Sequence, residues 1–160
     1  MKEKDGEHPL GDVGQLVLFV VFMAVWGAHS FVLRKSTYLS ERAPFLIRLA
    51  ISGLALVTTA YLFGCGHVVV SRRPRPSAVV STGAFRHVRH PLYLGSILFY
   101  FALAVSTVSI LSLALLPVIF AFYNYIASYE EKLLEIKFGD TYISYRKKTG
   151  KWVPRIGRRE

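Results

Sequence analysis

Three long windows of this chain carry no charge, and that limits its fold more than any other feature. No Asp, Glu, Lys or Arg falls between Asp12 and Arg34, between Arg48 and Arg72, or between His90 and Glu130. As a helix, each window is long enough to cross about 30 Å of hydrocarbon. In lipid a spanning backbone must satisfy its own N–H and C=O groups, which an α-helix does. A chain that is 52% hydrophobic yet has a net charge of +10 fits this arrangement, because its charges are segregated from its apolar runs. The expectation is an all-α integral membrane protein.

A basic excess also raises nucleic acid as a partner, but that needs a basic soluble face interleaved with aromatics. Too little of the chain lies outside the apolar windows to build one, so no nucleic acid is expected. Lys and Arg beside spans set topology and contact anionic lipid instead. The one cysteine, Cys65, excludes an intramolecular disulfide. Met1–Asp12 mixes both signs of charge, and the apolar stretch after it is too long for an h-region, so a cleaved leader is not expected.

Taken in order, Val13–Leu33 reads as the first span, with Trp26 and His29 toward an interface. Pro44 starts a second helix that runs to about Phe63, where Gly64-Cys65-Gly66 loosens its end. Arg48, one turn inside it, is either an intramembrane functional charge or a side chain that snorkels to the surface. The connector 67–82 contains Arg72-Arg73-Pro74-Arg75-Pro76, which cannot continue a helix and should lie extended. The run from Pro91 to Tyr129 is too long for one crossing and about right for two. Its polar interruption, Ser106-Thr107-Val108-Ser109, is the expected turn, and Pro117 should kink the returning helix.

After Tyr129 the pattern changes. Glu131, Leu134, Phe138, Tyr142 and Tyr145 recur at spacings of three and four, which predicts an amphipathic helix. It would lie in the interface or fold over a site, with Gly139 weakening its middle, and a basic tail follows. The connector and the tail hold most of the Lys and Arg, so the positive-inside rule puts both termini and the connector in the cytoplasm. The expectation is therefore four transmembrane helices, a cytoplasmic C-terminal amphipathic helix and a basic tail. They form one membrane domain over 1–160, with an N-terminal hairpin at 13–66 and a functional region at 67–160 that includes the 91–129 hairpin.

That region turns on Gly83–Gly95, where Arg86, His87, Arg89 and His90 crowd into five positions before an apolar run. Pro91 suits the first turn of a helix, so His90 falls at the N-cap. Free N–H groups, the positive dipole end and the basic side chains together make a place for an anionic group. The hairpin returns Glu130-Glu131 to the same membrane face, giving an amphoteric pocket suited to a zwitterionic cofactor. His and Glu are also metal ligands, but no Cys joins them and metal is not expected. The bland alternative is a solvated rim that only positions the spans.

The stretch from Ser81 to Gly95 contains Arg89-His90-Pro91-Leu92-Tyr93-Leu94-Gly95. It resembles the Arg-His-Pro-x-Tyr-x-Gly motif of the isoprenylcysteine carboxyl methyltransferase and phospholipid methyltransferase superfamily. Glu130-Glu131-x-x-Leu134-x-x-x-Phe138-Gly139-x-x-Tyr142-x-x-Tyr145 is similar to its second motif, and Val153-Pro154-Arg155 to its closing segment. The resemblance covers the C-terminal half, from Arg72 onward. It implies an S-adenosylmethionine-dependent methyltransferase acting on a lipophilic or membrane-delivered acceptor: a prenylcysteine-like carboxylate, a phospholipid amine or a thiol. By the family pattern, Ser77, Ala78, Val79, Val80, Phe85, His90, Pro91, Leu92, Tyr93 and Glu130 line the cofactor pocket. His90 and the helix start would hold the methionine carboxylate, and Arg89 and Glu131 are the expected catalytic pair. Consistent with this, no Gly-x-Gly-x-x-Gly follows a strand, so a Rossmann-type site is not available.

One departure bears on the acceptor. Members that act on a prenylcysteine carboxylate carry an arginine one turn before the first Glu, where this chain has Ile126 after Asn124 and Tyr125. A carboxylate nucleophile needs only positioning, whereas an amine or thiol must lose a proton. Ile126 therefore leaves amine and thiol acceptors open, with Arg89 or Arg155 as substitute cations. The tail also continues Arg155-Ile156-Gly157 where the family commonly has proline. The aromatic segments Phe99-Tyr100-Phe101 and 120–125 either line an acceptor route from the bilayer or serve as ordinary packing surface. The competing readings are a membrane NADPH-dependent reductase, which shares a similar His-Pro-x-Tyr hairpin in a larger bundle, and a non-enzymatic lipid-binding protein.

Overall fold

The computed structural model describes residues 11–33, 37–70 and 78–155. Five α-helices carry it: α1 (Gly11–Gly27), α2 (Phe45–Val70), α3 (Pro91–Thr107), α4 (Ile110–Phe138) and α5 (Asp140–Lys148). Among the described residues there is no strand, and the one β-like contact is an isolated parallel bridge between Val88 and Gly150. Three helical segments are long and apolar enough to cross a membrane: Gly11–Val32, Phe45–His67 and Ile110–Phe138. The shorter α3, with 17 residues, spans about 25 Å at 1.5 Å per residue.

Cross-helix contacts give the helix directions. Gly14 of α1 faces Phe122, while Trp26 near the other end of α1 donates to the Leu103 carbonyl at 2.9 Å. Along α2, Arg48 reaches the Ser106 carbonyl, Thr59 the Gly95 carbonyl, and Gly66 abuts Leu92. So α1 and α3 run one way while α2 and α4 return. The buried centre is Phe22, Tyr100, Ala104, Ile119 and Tyr123, with the Phe22 and Tyr100 rings edge-on at 4.7 Å. Tyr100 and Tyr123 therefore belong to the core, whereas Phe120 and Tyr125 are exposed. The outer faces of α1 and α2 are apolar: Leu46, Leu54 and Val57 are each about 70% exposed, as a helix facing lipid requires.

α1 does not end at Gly27 but widens into a π-helical turn, Ala28–Val32, closed by Leu33 N–H to the Ala28 carbonyl at 2.8 Å. Arg48 Nη1 donates to the Ser106 carbonyl at 3.1 Å, fastening the start of α2 to the hairpin turn.

The second helix does not end near Phe63. It runs through Gly64-Cys65-Gly66 to Val70. Glycine inside a helix costs roughly 1 kcal/mol against alanine, but here it permits close approach. A Cβ on Gly66 would come within 2.5 Å of Leu92 Cδ2. Between helices in lipid the driving force is packing, so small residues at contacts hold the pair together. The 72–76 proline–arginine segment lies outside the described residues.

The 91–129 run folds as the expected hairpin. α3 ends at Thr107, Val108 takes the left-handed conformation (φ 48°, ψ 42°), and Ser109 caps α4 by accepting from the Ser112 N–H. The returning helix passes Pro117 and continues beyond Tyr129 to Phe138. The amphipathic stretch is thus not one helix. Gly139, at φ 54°, breaks it, so its first half is the end of α4 and its second half is α5.

Candidate functional site

The polar residues at the Glu130 end of the hairpin come from three separate segments. His90 is the N-cap residue of α3, with Pro91 in the first turn, as the sequence predicts. A 3-10 turn, Gly83–Arg86, leads into it, opening on Gly83 at φ 60°, a conformation glycine adopts without strain. Glu130 and Glu131 lie on α4, and after α5 the tail returns so that Thr149 and Gly150 meet Arg89 and Trp152 meets His90.

His90 is buried, and its two ring nitrogens face the two carboxylates. Nε2 lies 3.0 Å from Glu131 Oε1, and Nδ1 lies 3.8 Å from Glu130 Oε2. Burial is the main influence on this imidazole and pushes its pKa below the ordinary histidine value. The hydrogen bond and charge of Glu131 oppose the shift, and the Lys151 and Arg89 charges add to it. The ring is therefore held neutral, and because a carboxylate only accepts, Nε2 carries the proton. That leaves Nδ1 as an acceptor beside Glu130. The Tyr93 hydroxyl donates to Glu130 Oε1, and the Tyr93 ring stacks on His90 at 5.7 Å.

Arg89 ties the segments together. Its Nε donates to Glu131 Oε1 at 2.9 Å, its Nη1 to the carbonyls of Arg146 (3.2 Å) and Thr149 (2.5 Å), and its backbone N–H to the Gly150 carbonyl at 2.9 Å. A guanidinium at the C-terminal carbonyls of α5 suits the negative end of that helix. The Arg89 and Glu131 side chains are 8% and 12% exposed, so this ion pair is largely withdrawn from water. The stripe read from the sequence faces the same way. Tyr142 is buried, and the Tyr145 hydroxyl donates to the Phe85 carbonyl at 2.6 Å. Burial pushes the Tyr145 phenol up to about 12, so it stays a donor. The Tyr142 hydroxyl is buried with no hydrogen-bond partner.

Of the residues expected at the site, His90, Tyr93, Glu130, Arg89 and Glu131 are brought into mutual contact. Pro91 is buried behind them and Leu92 packs against Gly66. Phe85 reaches the cluster through its carbonyl, Val79 and Val80 are half-buried, and Ala78 is exposed. Ser77 lies outside the described residues. Among the described residues, no three of His, Cys, Asp and Glu come together as metal ligands.

Three tail residues escaped sequence reasoning. The Lys151 ammonium donates to Asn124 Oδ1 (2.8 Å), Ser128 Oγ (2.7 Å) and the Asn124 carbonyl (3.2 Å). Trp152 donates to Asn124 Oδ1 at 3.2 Å and sets its ring 5.9 Å from His90. Gly150 sits where a Cβ would fall 1.8 Å from the Val153 carbonyl oxygen. Only the Thr149-Gly150 pair, a turn signal, marks this place in the sequence. Arg155, one of the substitute cations considered, is exposed and donates to the Lys147 carbonyl, while Ile126 is buried at 2% exposure.

Fold and site together define a small helical membrane protein with a buried His/Arg/Glu cluster capping one end of an apolar helical hairpin. Residues 49–141 match the family model for phospholipid methyltransferases, and the chain belongs to that family. It is similar to the protein-S-isoprenylcysteine O-methyltransferase of Schizosaccharomyces pombe, with 34% identity over 95 residues, 56% of this chain and 39% of the relative. The Saccharomyces cerevisiae protein of the same name is 30% identical over 106 residues, covering 64% and 43%. Methanethiol S-methyltransferase 1 of Bradyrhizobium diazoefficiens is 30% identical over 124 residues, covering 71% and 43%. The chain thus spans only 39–43% of the length of these curated relatives. No solved structure matches it.

Proposed function

We propose that the chain carries an S-adenosylmethionine-dependent methyltransferase site acting on a lipophilic or membrane-delivered acceptor. One observation carries this reading: His90 and Glu130, far apart in sequence, lie 3.8 Å apart at the first turn of α3. The names of the relatives, all methyltransferases, support the same reading. S-adenosylmethionine, when bound, supplies an electrophilic methyl group on a sulfonium and a zwitterionic amino-acid tail.

The residues fit such a group. His90 Nδ1 and Glu130 Oε2 are acceptors side by side, suited to an ammonium. The start of α3, where Pro91 stands in the first turn and the positive end of the helix dipole emerges, suits a carboxylate. His90 therefore serves the ammonium side, not the carboxylate side that the sequence suggested, because its donor nitrogen already faces Glu131. The orphaned Tyr142 hydroxyl is a further donor buried near Glu131 and Arg89, whose charges both act on it. Arg89 and Glu131, themselves largely buried, hold the α3 start, α4 and the tail in register, which suits a reaction whose rate comes from alignment away from water.

With α3 as a short crossing the bundle spans the bilayer four times, with the site end and both termini in the cytoplasm, as the basic residues favour. S-adenosylhomocysteine titrated into purified protein should bind, and alanine at His90 or Glu130 should abolish binding while helix content is kept. In sealed vesicles, binding should appear only when the site end faces outward. Unchanged binding in both variants sinks the site, and binding from the opposite face sinks the orientation.

A further inference from the structure

We infer that Lys151 selects for the class of methyl acceptor, favouring an anionic nucleophile, a carboxylate or a thiolate, over the ammonium of an aminophospholipid. The inference rests on the methyltransferase reading and deepens it.

Three arginines near the site are neutralised or directed elsewhere. Arg89 pairs with Glu131 at 2.9 Å, Arg146 with Glu135 at 2.6 Å, and Arg155 points at a backbone carbonyl on the surface. Lys151 differs. All three of its N–H groups go to neutral oxygens of Asn124 and Ser128 on α4, and among the described residues no carboxylate pairs with it. Those oxygens fix the ammonium without cancelling its charge, so its field extends into the space beside it. That space is the site: Lys151 adjoins Trp152, whose ring lies against His90, and its charge is felt by the His90 imidazole. Burial lowers its own pKa, while Glu131 holds it up. A fixed positive charge whose hydrogen-bond partners are all neutral, next to the ring that stands against His90, attracts an anion and repels an ammonium.

The chemistry is consistent with this choice. An anionic acceptor forms its new bond to the methyl carbon as the carbon–sulfur bond breaks, and that electron pair stays on the departing sulfur. A carboxylate has no proton to lose, and a thiol reacts as the thiolate, its proton having passed to water in an ionisation that the Lys151 charge favours. A protonated amine would first have to lose one, and the neutral His90 is the nearest base, already flanked by two carboxylates.

The test holds the lipophilic body constant and changes only the head group. N-acetyl-S-farnesylcysteine and its primary amide are titrated into full-length protein in nanodiscs, without methyl donor. Wild type should bind the carboxylate about tenfold more tightly than the amide. Lys151→Gln should bring the two close together and Lys151→Arg should keep the preference, with helix content kept in both. Equal binding of carboxylate and amide by wild type, or a preference that survives in Lys151→Gln, overturns the inference. So does a uniform loss across every probe, which would make Lys151 only a fastener of the tail. Labelled-methyl transfer to the farnesylcysteine, to dodecanethiol and to phosphatidylethanolamine separates the two anions, and preferred transfer to the aminophospholipid overturns it. Failure of wild type to bind S-adenosylhomocysteine would remove the methyl-donor reading itself, a result read independently of the head-group comparison.

Discussion

The two ends of the α3–α4 hairpin solve the same problem with different chemistry. Each must satisfy helix-terminal groups and fasten neighbouring segments. At the turn, the work is done mostly by neutral groups: Trp26 and Ser30 bond to Thr107 at 3.2 and 2.9 Å, and Ser109 and Ser112 bond each other. Arg48, bonded to a carbonyl, brings a charge there as well. At the other end Arg89, His90, Glu130, Glu131 and Lys151 are drawn together from segments far apart in the sequence. Neutral bonds can be replaced singly, because water or a neighbour re-satisfies each group. Buried charges depend on one another, since removing one strands its partner. A fold needing only a closed hairpin has no reason for the second arrangement, which is why the proposed function is assigned to the charged end.

The contrast can be broken most directly by deleting one partner at each end. Glu131→Ala leaves the buried Arg89 guanidinium without its carboxylate, a loss of about 3–5 kcal/mol. Thr107→Ala removes a hydroxyl shared by Trp26 and Ser30 and should cost about 1 kcal/mol. Melting of both variants in one detergent compares them, and Glu131→Gln, which keeps an acceptor without the charge, should fall between. Equal losses at the two ends would mean that the charged cluster is no more interdependent than the hydroxyl one.

Acid offers a gentler probe of the same difference. Burial lowers the His90 pKa in the folded protein, so as pH falls the unfolded chain takes up the proton first. Stability is then complete above the ordinary histidine pKa of about 6.5 and declines as pH drops below it. The melting temperature of wild type should fall between pH 7.5 and 5.5 by more than that of His90→Gln. Parallel curves would show that His90 takes no part in the acid response.

What was legible in the sequence divides along the same line. The turn at 106–109, the His90 N-cap and the Glu130-Glu131 return announced themselves through local signals: a polar break in an apolar run, a proline after a histidine, carboxylates at a charge boundary. Gly66 and Gly139 were visible but misread, because a glycine marks a helix end, a close contact or a left-handed residue with equal ease. The first glycine proved to be a contact with Leu92 and the second a break between α4 and α5. Lys151, Trp152 and Gly150 gave almost no signal. Their importance comes from meeting Asn124 and Ser128 across an intervening helix, and no spacing rule reaches that far.

The turn end also contains the one non-glycine residue among those described with a positive φ, and it provides the smallest test. Val108 sits at φ 48° and ψ 42°, where the left-handed conformation costs an L-residue about 1–2 kcal/mol. Glycine removes that strain but adds freedom to the unfolded chain and gives up a half-buried side chain, so the net gain should be at most about 1 kcal/mol. Asparagine tolerates the conformation and loses less, so Val108→Asn is the companion variant. Either should raise the melting temperature by a few degrees while S-adenosylhomocysteine affinity stays the same, because nothing charged links this turn to the far end. A shift in that affinity would show the two ends to be mechanically coupled through α3 and α4.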